Sequence, residues 1–231
     1  MTDAAAALAR RIACRFESPA ATVYECRQAE LLDDWPAYWE VLDDGERARA
    51  ERFVVDPVKR RFVLSHAALR LILARRRGGD WRDIRYDTVA NGKPRLAGAA
   101  AGRPEFNMSH SGDLMVVALS DDRPVGIDVE AWRPIDRVRG LAETILAARE
   151  LTVFDGLSSD EASRVLLRLW TFKEALVKAL GLGLSVEPRS IALPDSVLGG
   201  DPGGELTFRG THWRLHDLGA EGYAAALAHP V

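Results

Sequence analysis

The same order of elements occurs twice along this chain, and that order limits its folds more than any other feature. The stretch "HAALRLILARRRGG" at 66–79 corresponds to "KEALVKALGLG" at 173–183. The stretch "FNMSHSGDLMVVALSDDRP" at 106–124 corresponds to "WRLHDLGAEGYAAALAHP" at 213–230. Each pair reads as a long helix followed by a small antiparallel sheet, so the class is α+β. A true internal repeat would put a ligand cleft between its halves. Helix-then-hairpin order also occurs in α+β domains without internal symmetry, and order alone leaves both readings open. At 231 residues the chain can bury a sizeable core, as one large domain or two small ones.

The individual segments support this order. "ATVYECRQ" (21–28) reads as a strand, and 44–77 is strongly helical, with Phe62, Ala67, Leu69, Leu71, Ile72 and Ala74 near helical spacing. Pro57 is expected to divide that stretch into two helices, and Gly78-Gly79 to end the second. "IRYDTVANGKPRL" (84–96) suggests a strand and a turn at Asn91-Gly92. "EFNMSHS" and "LMVVALS" form a hairpin around Gly112-Asp113, and "VGIDVE" (125–130) is the next strand. Residues 135–146 and 147–157 are helical at least in part. "DEASRVLLRLWTFKEALVKALG" (160–181) is the strongest helix, with Gly181 as its stop. "SIALPD", "GELTFRG", "THWRLHDL" and "GYAAALAHP" read as short strands.

Charge and cysteine content remove several function classes. The formal net charge is −3, so no nucleic-acid partner is expected, and an anionic ligand must be met by local basic residues. Two cysteines, Cys14 and Cys26, with no CxxC and no Cys/His cluster, make a disulfide framework or zinc site unexpected. The first residues do not have the order of a secretory signal, and no apolar run has the length of a membrane helix. A cytoplasmic protein with no membrane association is expected.

The chemistry starts in "PVGIDVEAW" (124–132). Val125, Ile127 and Val129 alternate with Gly126, Asp128 and Glu130, so two acids share one face of a strand in which acids are disfavoured. Adjacent carboxylates raise one another's pKa unless a cation intervenes. An all-oxygen ligand set suits Mg²⁺ or Mn²⁺. An exposed strand face paired to Arg133 and Arg137 is the alternative. In "WTFKEALVK", Trp170, Glu174 and Lys178 fall at i, i+4 and i+8 on one helix face. Glu174 and Lys178 could equally be a surface pair contributing about 0.2–0.5 kcal/mol. "FNMSHSGD" holds Asn107, Ser109, His110 and Ser111 in what reads as a tight turn. A nucleophilic Ser–His pair is disfavoured there because neighbours on a strand alternate faces and no G-x-S-x-G elbow is present. Anion binding by hydroxyl and imidazole, or local turn hydrogen bonds, remain. Lys93 in "NGKP" is a rigid-turn lysine or a plain surface residue. Arg47, Arg49, Arg52, Lys59, Arg60 and Arg61 form a solvated face or meet a phosphate.

Taken in order, Lys-Pro, F-N-x-S-H-S, G-I-D-V-E and W-x-x-K-E-A-x-x-K resemble the motif series of the Sfp-type 4′-phosphopantetheinyl transferases. The motifs run from Lys93 to Lys178, and the helical region from Arg49 to Arg77 and the chain length also fit. The resemblance implies a pseudo-dimer of two similar α+β halves, each a long helix packed on a small antiparallel sheet, with the active site between them. The halves are expected at 1–122, on the coenzyme A adenine and 3′-phosphate side, and at 123–231, with the metal site and catalytic helix. The implied reaction moves the 4′-phosphopantetheine arm of coenzyme A onto a serine of an apo acyl or peptidyl carrier protein. Adenosine 3′,5′-bisphosphate is the other product.

By the same resemblance Asp128, Glu130 and Glu174 are metal ligands for Mg²⁺, with Mn²⁺ possible in its place. Asp128, Glu174 and Lys178 are the catalytic set, and Glu174 doubles as candidate general base. Arg49, Arg61, Lys93, Pro94, Asn107, Ser109, His110 and Lys178 contact coenzyme A. About three residues before Arg49, where the family has a basic residue, this chain has Glu46, with Arg47 the nearest substitute. A monomer docking an acidic carrier on residues 133–160, through Arg133, Arg137 and Arg139, is expected. The competing functions are a metal-dependent phosphodiester or diphosphate hydrolase using the same acids, and a non-catalytic coenzyme A-binding protein.

Overall fold

The computed structural model describes residues 2–88, 94–98 and 103–231. The short helix α1 (Asp3–Arg10) is capped by the Thr2 side chain and leads into strands β1 (Ile12–Glu17) and β2 (Thr22–Arg27). Helix α2 (Asp44–Glu51) and the 22-residue α3 (Asp56–Arg77) follow. The 44–77 stretch is divided into two helices, as expected from Pro57. Pro57 occupies the first turn of α3, where its missing N–H costs nothing, and the break lies just before it. Strands β3 (Tyr86–Thr88) and β4 (Pro94–Leu96) pair antiparallel, and the turn read at Asn91-Gly92 lies outside the described residues. Then come β5 (Glu105–Ser111), β6 (Leu114–Ser120), β7 (Gly126–Ala131), α4 (Val138–Ile145) and the 22-residue α5 (Ser159–Leu180). The short α6 (Asp195–Leu198), β8 (Gly203–Phe208), β9 (Thr211–Asp217) and β10 (Tyr223–Pro230) complete the chain.

Two four-stranded antiparallel sheets result, ordered β1-β2-β6-β5 and β7-β10-β9-β8. Within them the run β2, α3, β5, β6 has the same connectivity and pairing as β7, α5, β9, β10. Helices α3 and α5 are equal in length, and each ends on a left-handed glycine, Gly78 (φ 65°) and Gly181 (φ 67°). The chain is therefore a pseudo-dimer of two α+β halves.

The layers stack as α3, first sheet, second sheet, α5. Met115, Val117 and Leu119 of β6 pack with Val63, Ala67 and Leu71 in the α3 core. Their neighbours Leu114, Val116 and Ala118 pack against Ile127, Val129, Ala225 and Leu227 in a core between the sheets. Ala226 and Ala228 face the other way, into the α5 core. Every residue of β6 is buried, which is why "LMVVALS" is continuously apolar instead of alternating.

A buried cation anchors each long helix at the same place, eight residues ahead of its closing glycine. Arg70 is 1% exposed and donates to Glu46 (2.5 Å), to Asp43, and to the carbonyls of Trp81 and Ile84 (3.0 Å each). Lys173 is fully buried and donates to Glu150 (2.6 Å) and to the carbonyls of Ile145, Pro188 and Ile191. Both carboxylates also accept a backbone N–H at the start of a preceding helix, Asp43 N–H for Glu46 and Ala147 N–H for Glu150. Charges this buried persist because every donor finds an acceptor. The same clamp explains why "SIALPD" is not a strand. The Ile191 carbonyl is held by Lys173 and the Leu193 N–H donates to Glu150 (2.7 Å), so the backbone between a 3₁₀ turn (Pro188–Ser190) and α6 is bonded to side chains.

Candidate functional site

Helix α5 lies directly on β7, and a glycine makes this possible. A Cβ at Gly126 would stand 2.0 Å from the Ala175 carbonyl oxygen and 2.3 Å from the Ala179 nitrogen. The space at Gly126 thus admits the α5 backbone. That contact sets Glu174 and Lys178, half-buried on α5, over Asp128 and Glu130 on the same face of β7. Val125, Ile127 and Val129 hold the strand from its other face, inside the core between the sheets.

Asp128 is 5% exposed. Its Oδ1 accepts from Lys178 Nζ (2.6 Å) and Ser109 Oγ (2.8 Å), and Lys178 Nζ also reaches Ser109 Oγ (3.0 Å). Its Oδ2 is buried with no hydrogen-bond partner. Burial pushes the Asp128 carboxyl up, against the pull of Lys178. Glu174 is pushed up too, first by burial and then by the charge of Asp128. Glu130 accepts from Ser111 Oγ (3.0 Å) and from Arg133 (2.8 Å). The ion pair to Arg133 anticipated for an exposed strand face is therefore present, in the same strand as the buried acid.

"FNMSHS" is the first strand of the expected hairpin, and its polar residues lie along that strand and not in a tight turn. Its residues pair one for one with β6, from Glu105 with Ser120 to Ser111 with Leu114. It forms one edge of the first sheet and runs parallel to β7, one edge of the second. No backbone ladder joins the two edges; polar side chains at every second position do. Ile127 N–H donates to Asn107 Oδ1 (2.9 Å), Val129 N–H to Ser109 Oγ (3.4 Å) and Ala131 N–H to Ser111 Oγ (3.1 Å). These bonds satisfy an edge that would otherwise be unpaired, and they register the two halves at the acids. Asn107 and Ser109 are thus engaged with the acid strand. His110, with the opposite parity, is exposed on the α3 side. Desolvation lowers its pKa, helped by the positive charges of Lys178, Arg61 and His66.

On from His66 runs a cleft of about 600 Å³, lined by Arg49, His66, Arg85, Tyr86 and Pro94, with Asp43 and Glu46 in its wall. The exposed Arg49 guanidinium sits 5.3 Å over the Phe62 ring, and Phe62 stacks on His66 at 3.9 Å. Glu46 does not face a ligand as a lone acid: it is 7% exposed, bonded to Arg70 and to His66 Nδ1 (2.8 Å). Arg47, the nearest basic residue, is engaged with the backbone. It donates to the carbonyls of Trp39 and Glu40 (3.2 Å each) and braces the preceding 3₁₀ helix (Trp35–Val41). Lys93 lies outside the described residues. Arg85 and His66 were not singled out from the sequence, and nothing local marks either of them.

Among the described residues, no three His, Cys, Asp or Glu side chains stand grouped as a metal centre. The donor set nevertheless suits a divalent cation. Asp128 has a buried oxygen with no partner, Glu174 is a carboxyl raised by burial and then by Asp128, and the Lys178 ammonium is the cation that pairs with Asp128. Oxygen-only ligands of this kind suit Mg²⁺ or Mn²⁺.

Residues 124–228 match the 4′-phosphopantetheinyl transferase superfamily, and residues 30–122 match the family described as 4′-phosphopantetheinyl transferase, N-terminal. Over 190 residues the chain is 31% identical to a putative 4′-phosphopantetheinyl transferase of Synechocystis, covering 78% of this chain and 73% of that one. It is 36% identical over 164 residues to the 4′-phosphopantetheinyl transferase psf-1 of Bacillus pumilus, covering 68% of each. With the 4′-phosphopantetheinyl transferase HetI of Nostoc it shares 35% identity over 154 residues, 66% of this chain and 65% of that one. Matched along both halves, including the strand with Asp128 and the helix with Glu174, the chain belongs to the 4′-phosphopantetheinyl transferase superfamily.

Proposed function

We propose that the protein transfers the 4′-phosphopantetheine arm of coenzyme A to a serine hydroxyl of an apo acyl or peptidyl carrier protein, releasing adenosine 3′,5′-bisphosphate. The observation that carries this reading is the buried, partnerless Oδ2 of Asp128 beside Lys178 and Glu174. Acids so placed repel a diphosphate unless a cation joins them. Asp128, Glu130 and Glu174 would hold Mg²⁺, which supplies charge neutralisation at the diphosphate when bound.

The chain's own groups do the rest. Arg49, Arg61 and the "GKP" segment with Lys93 and Pro94 take the adenine and 3′-phosphate end, so residues 1–122 serve mainly the coenzyme and 123–231 the chemistry. His110 donates to a phosphate oxygen. Lys178, now bonded to Asp128 and Ser109, swings its ammonium to the same phosphates and stabilises the leaving bisphosphate. Asn107 and Ser109 hold the acid strand in register. Glu174 is placed to accept the proton of the attacking serine, directly or through water.

The nucleophile belongs to the partner. A groove lined by Ile135, Arg137, Val138, Arg139 and Leu157 lies along the start of α4, with Leu141 exposed nearby. Arginines around an apolar floor suit an acidic carrier helix. Arg133 is committed to Glu130 and Arg139 to the Phe154 carbonyl (2.8 Å), which leaves Arg137 the leading candidate for docking. Arg137→Glu should raise KM for carrier about tenfold and leave KM for coenzyme A unchanged. We place the protein in the cytoplasm as a monomer.

The experiment is to incubate the protein with coenzyme A, Mg²⁺ and an apo carrier and to weigh the carrier. A gain of one phosphopantetheine is expected. No gain across several acyl and peptidyl carriers, together with carrier-independent breakdown of coenzyme A, would instead establish a hydrolase.

A further inference from the structure

The first half has its own cavity at the place where the second half has its acids. β2 and β7 are equivalent strands, as are helices α3 and α5. Counted from the buried cations, Leu71 and Arg75 of α3 stand where Glu174 and Lys178 stand on α5. On the α3 face of β2, Tyr24 stands where Asp128 stands on β7. Tyr24, Leu71 and Arg75 all line one cavity of about 350 Å³, closed by Ile12, Ile72 and Trp81. That volume is at the lower end of the ~300–1,000 Å³ typical of small-molecule sites.

The lining is mostly apolar, with one guanidinium, Arg75, and one carboxylate, Asp80. Arg75 has no ion-pair partner among the described residues. Trp81 is 8% exposed, and its buried indole N–H has no hydrogen-bond partner. The one carboxylate on the lining, Asp80, is already engaged by Arg82: its Oδ1 accepts the backbone N–H (2.8 Å) and both oxygens face the guanidinium. A cationic head would meet the like charge of Arg75, and the Asp80 carboxylate is already bonded to Arg82. An apolar ligand with an anionic, acceptor-only head would find the Arg75 guanidinium.

We propose that this cavity binds a small apolar carboxylate of medium-chain fatty acid size, its head on Arg75 and its tail between Ile12, Leu71 and Ile72. The site rests on residues remote from the acids of β7 and does not depend on the transferase reading.

The test follows the Trp81 indole N–H resonance of the full-length protein during titration with octanoate, with octylammonium as the control of equal length. Octanoate should shift the resonance saturably with a Kd at or below about 1 mM. Octylammonium should not shift it. Arg75→Gln should weaken octanoate about tenfold. Leu71→Trp, which fills the cavity, should abolish the shift, and Ile12→Phe serves the same purpose if that variant does not fold. The proposal is overturned if octanoate gives no saturable shift up to about 10 mM, ten times that Kd. It is also overturned if octylammonium binds as tightly, or if folded cavity-filling variants bind octanoate unchanged.

Discussion

On the face of β7 under α5 the chain sets Gly126, Asp128 and Glu130 against Glu174 and Lys178. On the face of β2 under α3 it sets Thr22, Tyr24 and Cys26 against Leu71 and Arg75. The frames around these faces agree closely: two 22-residue helices, two left-handed glycine stops, and two buried cations on carboxylates from preceding helices. What differs is polarity. Burial pushes Cys26 up to about 11, so it behaves as a small apolar side chain. Burial pushes Asp128 up as well, but Lys178 and Ser109 bond to it, and one oxygen is left over. The comparison teaches that folding requires the clamp and not the acids, since the first half keeps the clamp and does without them.

The largest effect should come from Gly126. Gly126→Val places side-chain atoms inside the α5 backbone, so α5 must lift from β7. Chemical denaturation should show a loss of more than about 4 kcal/mol, and carrier loading should vanish. At the equivalent place in the first half, Thr22→Ala should cost only about 1 kcal/mol.

The clamps come next and should behave alike. Arg70→Met and Lys173→Met each remove the buried cation from a buried carboxylate and should each cost about 3–5 kcal/mol in urea titration. A cost in only one half would break the equivalence. The paired variant Lys173→Met/Glu150→Leu should recover part of the loss, because no charge is then stranded.

A smaller effect tests the contact between the sheets on pH. His216 stacks on His229, lies 5.0 Å from Phe16 of β1, and has its pKa lowered to about 4 by burial and then by His229. Below pH 6.5 the unfolded chain takes up a proton there that the folded chain refuses until about pH 4. Stability should therefore fall across that window, by about 1–2 kcal/mol once solvent screening of a half-buried ring is allowed for. His216→Gln should flatten the dependence, seen as a smaller shift in urea midpoint between neutral and acid pH. The smallest effect is expected at Ser111→Ala: about 1 kcal/mol, with faster amide exchange at Ala131 and unchanged exchange at Ile127.

Much of this was legible in the chain. Helical spacing and glycine stops marked α3 and α5. Period-two alternation put Asp128 and Glu130 on one face, and i, i+4 spacing aligned Glu174 with Lys178. The rest depended on contacts distant in sequence. "SIALPD" has the alternation of a strand, but its backbone is claimed by Lys173 and Glu150. α1 and β1 went unread because a short alanine-rich run carries little periodicity before Ile12. The strand in "FNMSHS" was legible as half of a hairpin, but its Asn and Ser also read as turn formers, whereas here they clasp the edge of another sheet. Arg85 and His66 reach the cleft from separate segments, and no local pattern joins them to Arg49.

The central claim is that the acid face of the second half performs the transfer and its counterpart in the first half does not. The direct measurement is the intact mass of an apo carrier after incubation with coenzyme A and Mg²⁺, using wild type, Asp128→Ala and Tyr24→Phe in parallel. Wild type and Tyr24→Phe should load the carrier at equal rates, while folded Asp128→Ala should be slower by about a thousandfold or more. Loading by Asp128→Ala at the wild-type rate would contradict the account.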